Sequence, residues 1–184
     1  MELKNKRIIV TGGSDGIGRH ICLKLAALGT RLAILGRDAD RLAAVEAECI
    51  AAGASEAIGI ACDIQNPDAI SGAVEQVTAA FGGLDILINN AGIWHKTGPL
   101  DEIPPQLLQA TVQTNLTGLM QITQAAIPAL RANDEAIILN VVSKSGVVAQ
   151  AGQSVYTATK YGVRGFTEVL KADEENTGVR VGGV

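Results

Sequence analysis

The stretch "TGGSDGIG" at residues 11–18 follows a short apolar run, "RIIV" at 7–10. Gly12, Gly16 and Gly18 sit where a strand should hand over to a helix. Glycine weakens both kinds of element, so its clustering has a local reason. Either the chain turns tightly there, or a ligand must touch backbone.

Working outward, strand-like runs alternate with helical patterns along the whole chain. "RIIVT" (7–11) leads to a helix over 17–28, closed by Gly29. "RLAILG" (31–36) leads to a helix over 39–52, closed by Gly53, and "AIGIACD" (57–63) to one over 67–81. "LDILINN" (84–90) passes through the loop "AGIWHKTGPLDEIPP" into one long helix over 105–131. "AIILNVV" (136–142) precedes a Gly-rich loop and a helix over 154–176, and "VRVGGV" begins a sixth strand. The strands are continuously apolar, which marks strands covered on both faces. The alternation predicts an α/β fold, a doubly wound, Rossmann-like parallel sheet in three αβα layers. Ligands of such sheets bind at the C-terminal strand ends.

Composition narrows the function classes. The chain has 184 residues, 47% hydrophobic and 18% charged, which fits one packed domain. Its net charge of −4, with Lys and Arg scattered, points away from nucleic acid. The uncharged stretch 103–130 contains five Gln, four Thr, an Asn and three Pro, too polar for a membrane span. Cys22, Cys49 and Cys62 are odd in number and form no CxxC, so reduced thiols and a cytoplasmic location are expected. No cluster has metal-ligand spacing.

A helix N-terminus presents unpaired N–H groups and the positive end of its dipole, which suit a phosphate. Gly12 permits the sharp turn, Gly16 the approach of backbone to a pyrophosphate, and Gly18 close packing of helix on sheet. Ser14 adds a hydroxyl. The second strand ends "LGRD", with Arg37 where a carboxylate would select a free ribose hydroxyl. A guanidinium suits a phosphate instead, so NADP(H) is preferred, with NAD(H) as the alternative. Asp38 reads as the cap of the next helix, while Asp15 lies near the same phosphate and opposes the choice. In "YTATK", Tyr156 and Lys160 share a helix face. They open the helix after the fifth strand, so they and Ser143 reach the same sheet edge.

These motifs together resemble the short-chain dehydrogenase/reductase family of the single-domain kind. Its TGxxxGxG matches "TGGSDGIG", its NNAG matches Asn89 to Gly92, and its Asp after the third strand matches Asp63. Its active-site Asn, Ser, Tyr and Lys match Asn115, Ser143, Tyr156 and Lys160. The resemblance implies hydride transfer between a nicotinamide and a hydroxyl/carbonyl pair of a small molecule. Tyr156 is then the general acid/base. Lys160 favours its phenolate and holds the nicotinamide ribose, Ser143 bonds the substrate oxygen, and Asn115 holds a water leading from Lys160 to solvent. Cofactor contacts are implied at Gly12, Ser14, Gly16, Ile17, Gly18, Arg37, Asp63, Ile64, Asn89, Ala91 and Gly92, besides Tyr156 and Lys160. Trp94 and His95 are placed at the substrate mouth. Family members are usually longer, so the chain is expected to be truncated in its sixth strand, lacking the last strand and part of the substrate pocket. The alternatives are a non-catalytic dinucleotide-binding protein, an inactive fragment, or an epimerase or dehydratase of the extended relatives. The helix at 105–131 carries apolar residues on more than one face and the neighbouring helix at 154–176 offers the small residues Ala158, Gly162 and Gly165 for close contact, which predicts a homodimer through them.

Overall fold

The computed structural model describes residues 2–95 and 97–184. Its strands are β1 (Arg7–Thr11), β2 (Arg31–Gly36), β3 (Glu56–Ala61), β4 (Ile86–Asn89), β5 (Ala136–Asn140) and β6 (Val179–Gly183). They form one parallel sheet in the order β3-β2-β1-β4-β5-β6. The order reverses between β1 and β4, so a crevice opens above their C-terminal ends. The main helices are α1 (Gly16–Ala26), α2 (Ala39–Ala52), α3 (Pro67–Phe81), α4 (Pro105–Val112), α5 (Leu119–Arg131) and α6 (Ser154–Asp173).

Local chemistry explains where the helices start. Asp15, Asp38 and Asn66 are N-caps of α1, α2 and α3, each with its side-chain oxygen accepting from first-turn N–H groups. Gly53 and Gly82 close α2 and α3 in the left-handed conformation. The helix expected over 105–131 is not regular. A π-helical turn, Gln113–Gly118, separates α4 from α5 and puts Asn115 at its centre. The apolar spacing runs smoothly through this turn, so the period does not reveal it. What it serves is a tertiary bond: the Asn115 side chain pairs with the backbone of Ile93.

Alternate strand residues feed two cores, as a doubly covered sheet requires. Ile9, Leu87 and Ile138 pack under α3, α5 and α6. Ile8, Val10, Ile34 and Ile88 pack under α1 and α2. The second layer stops short of the far edge. Ile137 and Leu139 are only half-buried while Ile138 between them is fully buried, and Arg180 on β6 is exposed. All three cysteines are free and buried, and burial pushes the Cys22 thiol up to about 12. Among the described residues no helix is long and apolar enough to cross a membrane.

The lower edge of the sheet is tied by Arg7 and Asp85. Arg7 donates from Nε, Nη2 and its backbone N to the Asp85 carboxylate at 2.7–2.9 Å. Its Nη1 and Nη2 also reach Gly82 O and Asn133 Oδ1. Burial pushes the Asp85 carboxyl up, but the hydrogen bonds from Arg7 outweigh it and hold it below the ordinary range. Arg7→Ala leaves this carboxylate underpaired and is expected to lower the unfolding free energy by about 2 kcal/mol in urea titrations near pH 7. A depressed carboxylate contributes stability above its unfolded pKa of about 3.9. The gap between wild type and variant should therefore close as pH falls below that value, and a gap constant down to pH 2 contradicts the assignment.

Candidate active site

The crevice begins with a clasp between the ends of β1 and β4. Thr11, at 2% exposure, accepts at Oγ1 from the N–H groups of Asn90 and Ala91, both at 3.0 Å. Asn90 returns the contact, its Nδ2 donating to Thr11 O at 3.0 Å and Gly12 O at 3.2 Å. The Gly-rich turn is so held against the "NNAG" segment. A Cβ at residue 18 would collide with Gly12 O, so α1 starts this close to the turn only with glycine there. Gly16 differs. It adopts φ +50, and nothing lies within 4 Å of where its Cβ would stand. Its glycine keeps backbone bare toward open space at the first turn of α1.

Two adjoining recesses share Gly12, Asp15, Ala91, Gly92 and Ile93. The larger, about 750 Å³, is lined by Ser14, Arg37, Asp63 and Ile64 among others. The smaller, about 360 Å³, takes in Gly16, Ile17, Gly18, Trp94, Tyr156 and Lys160. Asp63 is exposed at the rim and forms an Asx turn, accepting from Gln65 N at 3.0 Å. Arg37 is exposed and makes no ion pair among the described residues.

Lys160 is only 4% exposed, and its Nζ donates to Val141 O, just beyond β5, at 2.8 Å. Burial pushes the ammonium down to about 8, so one carbonyl does not replace the lost water. Its Nζ stands 5.7 Å from the centre of the Tyr156 ring, within cation–π range. Tyr156 itself is half-buried.

His95, placed at the substrate mouth beside Trp94, is buried at 7% exposure and lines neither recess, nor do three of the predicted catalytic and cofactor residues. Asn89 lies beneath the floor, where Nδ2 donates to Asn140 Oδ1 at 2.8 Å and Thr123 Oγ1 at 2.9 Å. It ties β4 to β5 and α5. Asn115 is fully buried, and its amide is taken up by Ile93: Oδ1 accepts from Ile93 N at 2.6 Å and Nδ2 donates to Ile93 O at 2.8 Å. The side chain thus shapes the loop after β4, and its Nδ2 also reaches Thr159 Oγ1, beside Lys160, at 3.4 Å. Ser143 follows β5 with φ 75, and its Oγ accepts from Ser145 N at 3.3 Å. An accepting hydroxyl still has its own proton to donate.

The sequence reading assigned no role to Thr11, Asn90 or Arg41. Asn90 stands inside the quoted "NNAG", so only its role was missing. Arg41 lies in the first turn of α2, and its guanidinium reaches Asp15 Oδ2 at 2.9 Å across the cleft mouth. Its position four residues after Arg37 was the available signal. Among the described residues no three His, Cys, Asp or Glu side chains group as a metal site.

A model of the short chain dehydrogenases matches residues 6–184. The chain is 37% identical to D-beta-hydroxybutyrate dehydrogenase of Cupriavidus necator, over 96% of its own length and 68% of that protein's. It is 33% identical to a 3-oxoacyl-[acyl-carrier-protein] reductase of Staphylococcus aureus, over 97% of itself and 72% of the relative. Its backbone matches a metagenomic short-chain oxidoreductase in complex with NADP, at 37% identity and TM-score 0.93, covering 100% of this chain and 82% of the other. It matches NAD+-bound xylitol dehydrogenase at 28% identity and TM-score 0.94, covering 100% and 70%. The chain spans between 56% and 72% of the length of such curated relatives. With the reversal of strand order, the Gly-rich turn and the Tyr156–Lys160 pair in one crevice, the match along nearly the whole sequence places this oxidoreductase-type chain in the short chain dehydrogenase family.

Proposed function

We propose that the chain is an NADP(H)-preferring oxidoreductase acting on a hydroxyl/carbonyl pair of a small molecule, with Tyr156 as its general acid/base. The observation that carries this is Lys160. A buried ammonium is costly, yet this one is kept beneath the Tyr156 ring in a recess continuous with the Gly-loop cleft.

The crevice suits a dinucleotide. The absence of a side chain at Gly16 leaves open space for a pyrophosphate beside the N-terminus of α1, Asp63 and Ile64 stand at one end, and Tyr156 and Lys160 at the other. When bound, a nicotinamide supplies or accepts the hydride. The protein's part is the proton. In reduction the Tyr156 hydroxyl gives its proton to the oxygen that gains charge, and in oxidation it takes that proton back. The ammonium of Lys160 stabilises the phenolate formed in between. Ser143, free to donate, bonds the same oxygen and stabilises its charge. Asn115 is a positioning residue that sets Ile93 and, beside it, Trp94. Tyr156→Phe should reduce turnover by about 100-fold or more in a 340 nm assay over a ketone panel. Its dinucleotide affinity should stay within about twofold, since it deletes one hydroxyl. Turnover kept at the wild-type level refutes the mechanism.

Cofactor preference rests on Arg37, exposed on the cleft wall with no carboxylate partner among the described residues. A charge-assisted contact to an ester phosphate accounts for about 10- to 100-fold in affinity. Arg37→Asp should weaken NADPH binding by about that factor and strengthen NADH binding. Equal wild-type affinities for the two would overturn the preference.

The chain is further proposed to dimerise through α4, α5 and α6. Leu108, Tyr161 and Val169 are exposed at 36%, 43% and 62%. Gly165 leaves open space on the same helix as the last two. Paired about a two-fold axis, these helices would cover each other's apolar residues. Light scattering at micromolar concentration should report twice the 19.0 kDa chain mass. A monodisperse monomer contradicts the pairing.

A further inference from the structure

The mouth of the larger recess carries two carboxylates that the fold needs. Asp15 caps α1, its Oδ1 accepting from Gly16 N at 2.7 Å. Asp38 caps α2, its Oδ1 accepting from Arg41 N at 3.1 Å. Both line the recess beside Arg37, and both repel any phosphate placed there. One guanidinium answers both: Arg41 reaches Asp15 Oδ2 through Nη1 at 2.9 Å and Asp38 Oδ2 through Nε at 3.4 Å. These side chains are 60%, 74% and 50% exposed, so the pairs are weak and exchangeable.

We propose that Arg41 is a second phosphate-binding cation, held in reserve by Asp15 and exchanged onto the 2′-phosphate of the dinucleotide beside Arg37. This rests on the dinucleotide reading above and adds a specificity-determining residue to it. The charges argue for it. Without Arg41, Arg37 faces Asp15, Asp38 and the rim carboxylate of Asp63 alone, and the mouth is strongly negative. With it, two guanidiniums balance Asp15 and Asp38, and Asp63 is left as the excess carboxylate of the lining. An ester phosphate, near two negative charges at neutral pH, is then met by two guanidiniums whose planar forks fit its oxygens. Asp15 gives up its ion pair but keeps its cap bond to Gly16 N, so α1 need not fray. Asp15 therefore sets the affinity: it competes with the phosphate for Arg41.

The test is calorimetric and uses the 184-residue chain with 2′,5′-ADP and 5′-ADP, which differ only in that phosphate. Arg41→Gln is expected to weaken 2′,5′-ADP by about tenfold or more while 5′-ADP, which also reports an intact fold, changes by less than about twofold. Asp15→Asn keeps an N-cap of equal quality and removes the competing charge, so 2′,5′-ADP should bind several-fold tighter. A purely structural clasp predicts the opposite, weaker binding in both variants and for both probes, and that result overturns the proposal. So does an Arg41→Gln chain indistinguishable from wild type. The underlying reading fails separately, and visibly, if the wild-type chain binds neither probe or shows no preference for 2′,5′-ADP.

Discussion

The site depends on the clasp between Thr11 and Asn90. β1 and β4 are neighbours in the sheet but far apart in the chain, and the order of strands reverses between them. Above that reversal two recesses open at the strand ends. They form a usable crevice only if its two lips keep a fixed separation. A buried hydroxyl accepting from consecutive N–H groups, answered by an amide donating to consecutive carbonyls, sets that separation. The glycines follow from it. With Asn90 bonded to Gly12 O, the start of α1 is drawn against the turn, and no Cβ fits at Gly18.

Charge is distributed unequally between the two edges of the sheet. At the N-terminal edge, Arg7 pairs with Asp85 and Arg31 with Glu56, and below α5 and α6 Arg131 grips the buried Glu174 at two oxygens. Each partner is satisfied, and the Glu174 carboxyl is held below its ordinary range, the Arg131 hydrogen bonds outweighing burial. At the C-terminal edge, among the described residues, Arg37 has no ion pair, Arg41 is shared between carboxylates, and Lys160 donates to a carbonyl. Charges are matched in pairs at the N-terminal edge, while at the crevice they are shared or held by backbone. The contrast between Asp85 and Lys160 shows the rule. Both are buried, but hydrogen bonds from a cation reverse the effect of burial on Asp85, while nothing comparable opposes it on Lys160.

Coverage of the sheet is also unequal. α3, α5 and α6 cover one face to its edge, whereas α1 and α2 leave Ile137 and Leu139 half-buried. β6 ends beside the loop that carries Ser143, where Val142 N and Ser143 N both donate to Val184 O. The conformation of Ser143 is therefore coupled to the end of the last strand, and the left-handed φ of a non-glycine residue there is held by neighbours on both sides.

Much of this was written in local chemistry. Apolar runs set the strands, Asp38 and Asn66 set the starts of α2 and α3, and Gly53 and Gly82 set their ends. Such signals act within a few residues, so the sequence alone determined the element order, the parallel sheet and the motifs of its C-terminal edge. The π-helical turn was invisible because its cause, the bond from Asn115 to Ile93, spans 22 residues. The buried state of Asn89 and Asn115 was likewise a matter of which elements pack above them. Arg41 looked like one more charge on a helix surface until the first turn of α2 was set across the cleft from Asp15. Only the tertiary structure decided those, because hydrogen bonds and ion pairs between distant residues depend on distances that no local pattern encodes.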